Sequence, residues 1–325
     1  MDPISDIVTF ANVPHLHLLL NHVPTVGTVI AIGLLLLASV RRNDHLVHVS
    51  LEVFFGIALL TLPVYLTGVA AQARIESMPG VSMAAINAHH DAALLGFILM
   101  DIAGLVAWLG LWQFRRIGRP TRGILTAMAV LSVLTLALMG NAANIGGEIR
   151  HPEIASHPEI NVDENAVAAA GWISAEGVEN FVNSRPWVWP ASETLHFIGL
   201  SVLFGVLFVV NLRLLGGLKS IPFSALHRLL PWAMVAFAVN LTTGMLFFIA
   251  AAHQYINNGP FYWKIVFLML AGANLLYLTV LDRTWALKPG EDTPLMEKAI
   301  AASSIGLWIG VIFWGRMLPF LGNAF

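Results

Sequence analysis

Twelve histidines and no cysteine set the coordination chemistry available to this 325-residue chain. Without thiols there can be no disulfide, no thiolate metal site, no iron–sulfur cluster and no covalent haem attachment through a C-x-x-C-H run. Imidazole is therefore the main ligand, with methionine a weaker one. His17 and His22 lie five residues apart, His89 and His90 are adjacent, His196 opens one apolar run and His253 closes the next. Two neutral imidazoles from different helices, with small residues nearby, are what a b-type haem needs. His22 with His89 or His90 forms one candidate pair, with Gly27 and Gly96 within two turns; His196 with His253 forms another, with Gly199 one turn below His196. His17 belongs to the same group. One or two haems are expected, with Arg74, Arg150 and Arg185 available for propionates.

Other groups suggest different chemistry. His45, His48 and Glu52 fall at i, i+3 and i+7, one stripe of a helix, where they could hold a divalent metal or relay protons. His151 opens a repeat, His151-Pro152-Glu153-Ile154 and His157-Pro158-Glu159-Ile160, that could hold a metal by imidazole and carboxylate. Asp101 sits within a long apolar run. A carboxylate at that depth costs about 2.5–3.5 kcal/mol unless paired or neutral. It is expected to face a bundle interior near Asn141 or Asn144, where it could protonate a quinone or serve an ion path.

These residues are embedded in a chain that is 57% apolar and 11% charged, with a mean hydropathy of +0.76. So little charge cannot cover a soluble globule, whereas lipid-facing Leu, Val, Ile and Phe can cover a membrane bundle. The apolar runs are continuous and lack the alternation of barrel strands, so helices are expected. The reading is an all-α polytopic membrane protein with about eight transmembrane helices: roughly Leu16–Val40, Leu46–Ala70, Ala92–Phe114, Ile124–Ile145, Leu195–Leu215, Leu229–Ala251, Phe261–Leu281 and Ala299–Leu318. They form an N-terminal four-helix domain (1–145), an acidic loop (146–192) and a C-terminal four-helix domain (193–325). Within the loop a surface helix is expected over Ala166–Val182. No basic residue precedes Arg41, so the first apolar run lacks the n-region of a signal peptide and is expected to remain.

Basic residues orient the chain. Arg41, Arg42, Arg115, Arg116, Arg119, Arg122, Arg213, Lys219, Arg228, Arg283, Lys288 and Lys298 fall in alternate connections, against only Arg74, Arg150, Arg185, Lys264 and Arg316 on the other side. By the positive-inside rule both termini lie outside a bacterial inner membrane. Most of the histidines then crowd the outer face, beside the acidic loop.

The segment His17-Leu18-Leu19-Leu20-Asn21-His22-Val23-Pro24 resembles the opening of a family of bacterial four-helix membrane domains of unknown function, with two histidines five apart and a following proline. Asn144-Ile145-Gly146-Gly147-Glu148-Ile149-Arg150-His151 is similar to the Gly-Gly-Glu and His that close that domain, so the resemblance covers about residues 13–155. Leu18 departs from it, standing where proline is common. Residues 193–285 resemble other uncharacterised bacterial membrane proteins through Leu195-His196-Phe197-Ile198-Gly199 and Leu212-Arg213-Leu214-Leu215-Gly216. The resemblances imply haem-binding or redox-associated proteins and supply no established activity.

The sequence thus points to a cytochrome b-like electron-transfer subunit, exchanging electrons with quinone or an outer-side redox partner. Lipid and further subunits are the expected partners; nucleic acid is not. A histidine- and carboxylate-lined metal or proton transporter, and a cofactor-free anchor or assembly subunit, are the alternatives. No Walker loop, dinucleotide fingerprint or hydrolase triad is present.

Overall fold

A computed structural model describes residues 13–78, 81–150, 174–280, 285 and 287–321. The described residues form helices and no strand. In chain order these are α1 (Val13–Leu20), α2 (His22–Arg41), α3 (Asp44–Ile75), α4 (Met83–Ile117), α5 (Arg122–Arg150), α6 (Ala175–Ser184), α7 (Val188–Leu214), α8 (Phe223–Leu226), α9 (Leu230–Ala250), α10 (Ala252–Ile256), α11 (Gly259–Val280) and α12 (Leu295–Leu321). Eight segments are long and apolar enough to cross a membrane, each overlapping one of the eight expected runs. The shortest has 19 residues, about 29 Å at 1.5 Å per residue, close to the bilayer's hydrocarbon thickness. Helices satisfy every backbone group internally, which lipid demands.

Sequence punctuation sets the ends. Asn43 caps α3, its side chain accepting from the backbone N–H of His45 and Leu46, while Arg42 adopts a left-handed φ of 48° to close α2. Ser82 caps α4, and Gly118 at φ 79° ends it. Large apolar side chains such as Val29 and Leu36 on α2, Val133 on α5 and Ile198 on α7 stay exposed. In a membrane-spanning chain these are lipid contacts.

In the first half, α2 and α4 each pack against both α3 and α5, so α2 and α4 stand diagonally across a closed four-helix bundle. In the second, α7 packs between α9 and α12, and α11 packs on α12. The halves meet where α3 and α4 face α9 and α11. Met234 and Phe237 of α9 join the core built around Phe54, Met100 and Trp108.

Three amides hold α12. Asn211 donates to Ser304 Oγ at 3.0 Å, Asn274 to Ser303 Oγ at 2.9 Å, and Asn258 to the Leu318 carbonyl at 3.1 Å. At the arginine end, Arg213 has no exposed surface. It donates to the carbonyls of Ile221 (2.9 Å), Lys288 (3.1 Å) and Glu291 (3.3 Å), and stacks over Phe223.

Beside it Asp292 pairs with Lys219 at 3.2 Å and Lys298 at 2.9 Å. The hydrogen bonds from Lys298 and Lys219 hold its carboxyl down at about 2. A depressed carboxyl stabilises the fold fully above the unfolded Asp value of about 3.9, and that contribution disappears as pH falls toward 2. Asp292→Asn is accordingly expected to increase hydrogen exchange around Gly290 at pH 7, and the difference from the unmodified protein should shrink below pH 3.

Candidate functional site

The histidine end of the first bundle is built from α4 and from α1, which packs on α3. His17 lies on α1, one turn before Asn21 leads the chain into α2. Its Nδ1 is 3.1 Å from the Val64 carbonyl and 3.4 Å from Thr67 Oγ1. A carbonyl only accepts, so Nδ1 carries the proton and Nε2 keeps its lone pair. His89 on α4 repeats the arrangement, with Nδ1 2.8 Å from the Ala142 carbonyl of α5. Each ring is thus anchored to a neighbouring helix.

Two glycines let the rings lie against backbone. A Cβ added at Gly68 would stand 2.9 Å from His17 Cε1, and one at Gly146 3.0 Å from His89 Cε1. Either side chain would push its imidazole out of place. Protonated Nδ1, fixed ring plane and available Nε2 are the features that a second-shell carbonyl confers on a ligating histidine.

The expected pairings fare differently. His22 is exposed, its Nδ1 bonded to the Leu18 carbonyl of its own chain segment at 2.9 Å. Of the pair His17 and His22, it is thus His17 whose ring is anchored to another helix. His90 is committed elsewhere: its Nε2 lies 2.9 Å from the Tyr65 hydroxyl, in a cluster with Phe97 and Phe248.

In the second half, His196 Nδ1 donates to Thr243 Oγ1 at 2.8 Å. That hydroxyl in turn donates to the Val239 carbonyl at 2.7 Å. His196 thus also presents a free Nε2, near Phe247 and the charge of Lys264. His253 on α10 is exposed and meets Asn257 instead. The two rings take different hydrogen-bond partners.

The possible metal stripe resolves into an ion pair. His48 Nδ1 lies 3.1 Å from Glu52 Oε1, while His45 is exposed. Among the described residues no three His, Asp or Glu side chains come together as a metal site. His151 and the His-Pro-Glu repeat lie outside the described residues, as does the Arg150 side chain. Arg74 is exposed at the end of α3, and Arg185 stacks on Phe181 at 4.4 Å.

The surface helix is α6, over Ala175–Ser184; residues 166–173 lie outside the described residues. Asp91, directly after the histidine pair, accepts from the Ala175 N–H at 2.9 Å, and Asn183 donates to the Ala250 carbonyl at 3.0 Å. A carboxylate at a helix N-terminus also gains from the helix dipole. This helix therefore lies across the histidine end and links the two halves.

Asp101 does not meet Asn141 or Asn144, which lie exposed on α5. It turns instead to the seam between the halves, lining a cavity with Trp108, Leu241 and Trp308.

Sequence reasoning missed Tyr65, Thr243 and Lys264 as neighbours of the histidines. Tyr65 could have been sought as one of only four tyrosines, but Thr243 and Lys264 carry no distinguishing signal. No curated protein and no solved structure matches the chain. Residues 189–321, from the start of α7 to the end of α12, match the model of a family of unknown function, DUF6644, so the second half of the chain is similar to that family.

Proposed function

We propose that the protein is a haem-binding membrane subunit in which His17 and His89 are the axial ligands of one b-type haem. The observation that carries this reading is the pair of imidazoles on different helices, each with Nδ1 tied to a backbone carbonyl and Nε2 left available. Bundle cores bind cofactors through side chains on facing helices in this way. The haem would supply one-electron redox chemistry in a low-dielectric site.

The positive-inside rule puts the site near the outer face of a bacterial inner membrane. Electrons would then pass between quinone and an outer-side redox protein or a further subunit, with α6 on the docking side. Among the described residues the hydrogen-bond and ring partners of His196 are Thr243 and Phe247 and include no histidine, so one haem is expected rather than two. A metal-transport reading has less support, because the His48–Glu52 pair lacks a third ligand.

A reduced-minus-oxidised spectrum of the purified protein tests the proposal. Bands of a six-coordinate b-type haem are expected, at one haem per chain, and unchanged in His22→Ala and His253→Ala. Colourless protein purified from haem-replete cells would refute it.

A further inference from the structure

Several buried polar atoms lie along the seam between the halves with no protein partner. Asp101 Oδ2 is buried and without a hydrogen bond, as are Asn211 Oδ1 and, at the arginine end, His227 Nε2. Buried polar atoms are almost always satisfied, so such a series points to bound water.

The seam has room for it. Asp101 lines a cavity of about 40 Å³. A second cavity of about 20 Å³, lined by Asn211, Ser304 and Arg115, continues toward the arginine end. Trp108, Leu275 and Trp308 border both, so the two cavities adjoin. Each exceeds the ~10–15 Å³ that one water needs. Beyond the second cavity His227 stacks on Trp112, ring centroids 5.7 Å apart, within the field of Arg115 and Arg116.

Asp101 stands about 24 Å of helix from the arginine end of α4 at Ile117, near the middle of the span. Among the described residues no cation pairs with it, and an unpaired carboxylate there is disfavoured by several kcal/mol. Its resting form is the neutral acid.

We infer that this seam is a hydrated half-path that carries protons between the arginine end and a neutral carboxyl at Asp101. The proton leaves Asp101 for a water in the first cavity, passes water held by Asn211 and Ser304, and exits beside His227; return follows the same route. No electron moves and no other bond changes. The inference is independent of the haem reading.

Two measurements on the full chain in native membranes test it. Dicyclohexylcarbodiimide reacts with a buried protonated carboxyl: the acid O–H adds across one C=N bond, and the O-acylisourea rearranges to a stable N-acylurea. Mass spectrometry should find that adduct on Asp101 and none at this position in Asp101→Asn. Infrared spectra should show a protonated-carboxyl band that shifts in D₂O and is missing in Asp101→Asn. Asn211→Val should slow that shift about tenfold, equivalent to ~1.4 kcal/mol. Should Asn211→Val fail to fold, Leu275→Phe, which fills the common wall, should slow it comparably. An unlabelled Asp101, or exchange as fast as in the unmodified protein in whichever of these variants folds, would overturn the inference.

Discussion

His89→Ala is expected to remove the b-type spectrum from the purified protein, and His17→Ala to do the same or leave a weakly held five-coordinate haem. The asymmetry follows from position. His89 lies on α4, a continuous helix of 35 residues packed on both neighbours. His17 lies on α1, a helix of eight residues that the turn at Asn21 separates from α2. Removing His89 leaves only the ligand carried by the short helix. Haem affinity should fall by at least the 10–100-fold that loss of an outer-shell partner costs, because here the ligand itself is lost. Gly146→Val gives an independent check: it keeps His89 but displaces its ring, so the spectrum should weaken while the histidine remains. Haem content per chain, measured by pyridine haemochrome, reads both. Full content in His17→Ala/His89→Ala would assign the haem to other ligands.

The second large effect concerns stability. Arg213→Ala is expected to lower the unfolding free energy by on the order of 3 kcal/mol, because hydrogen bonds to a charged group contribute about 1.5–3 kcal/mol and three are lost together. The guanidinium ties the end of α7 to the segment before α8 and to the connection before α12. Arg213→Lys should recover only part of the loss, since one ammonium cannot reproduce the planar fork that reaches three carbonyls. Thermal unfolding in detergent should rank the unmodified protein above Arg213→Lys and Arg213→Ala lowest. Equal melting temperatures would show that the three bonds contribute nothing net.

Arg213 also shows where sequence reading stops. In the sequence it is one basic residue among those that orient the spans, and nothing in its neighbours announces burial. The spans themselves were legible, because runs such as Leu195–Leu215 are apolar throughout and the physics of lipid leaves few alternatives to a helix. Asp101 was legible as an anomaly for the same reason. Its surroundings were not: whether it faces α5 or the seam depends on helix rotation, which a uniformly apolar run does not encode.

The histidine site divides in the same manner. That histidines gather at one end followed from counting residues along the spans. Choosing His17 over His22 required the turn at Asn21, and the partners that fix the rings are main-chain oxygens of Val64 and Ala142, which carry no residue signature. His253 was expected beside His196 because antiparallel helices bring their depths together. The short α10 carries it to the surface instead.

The three amides that grip α12 bear on how the protein is made. Asn211, Asn258 and Asn274 are all synthesised before their acceptors at Ser304, Leu318 and Ser303. Until the last helix leaves the ribosome, each amide must be sheltered by the insertion machinery, by lipid headgroups or by stray water. Arrival of α12 closes all three at once and fixes its register against α7 and α11. A nascent chain stalled before Leu295 would thus display three unmet amides near or within the bilayer.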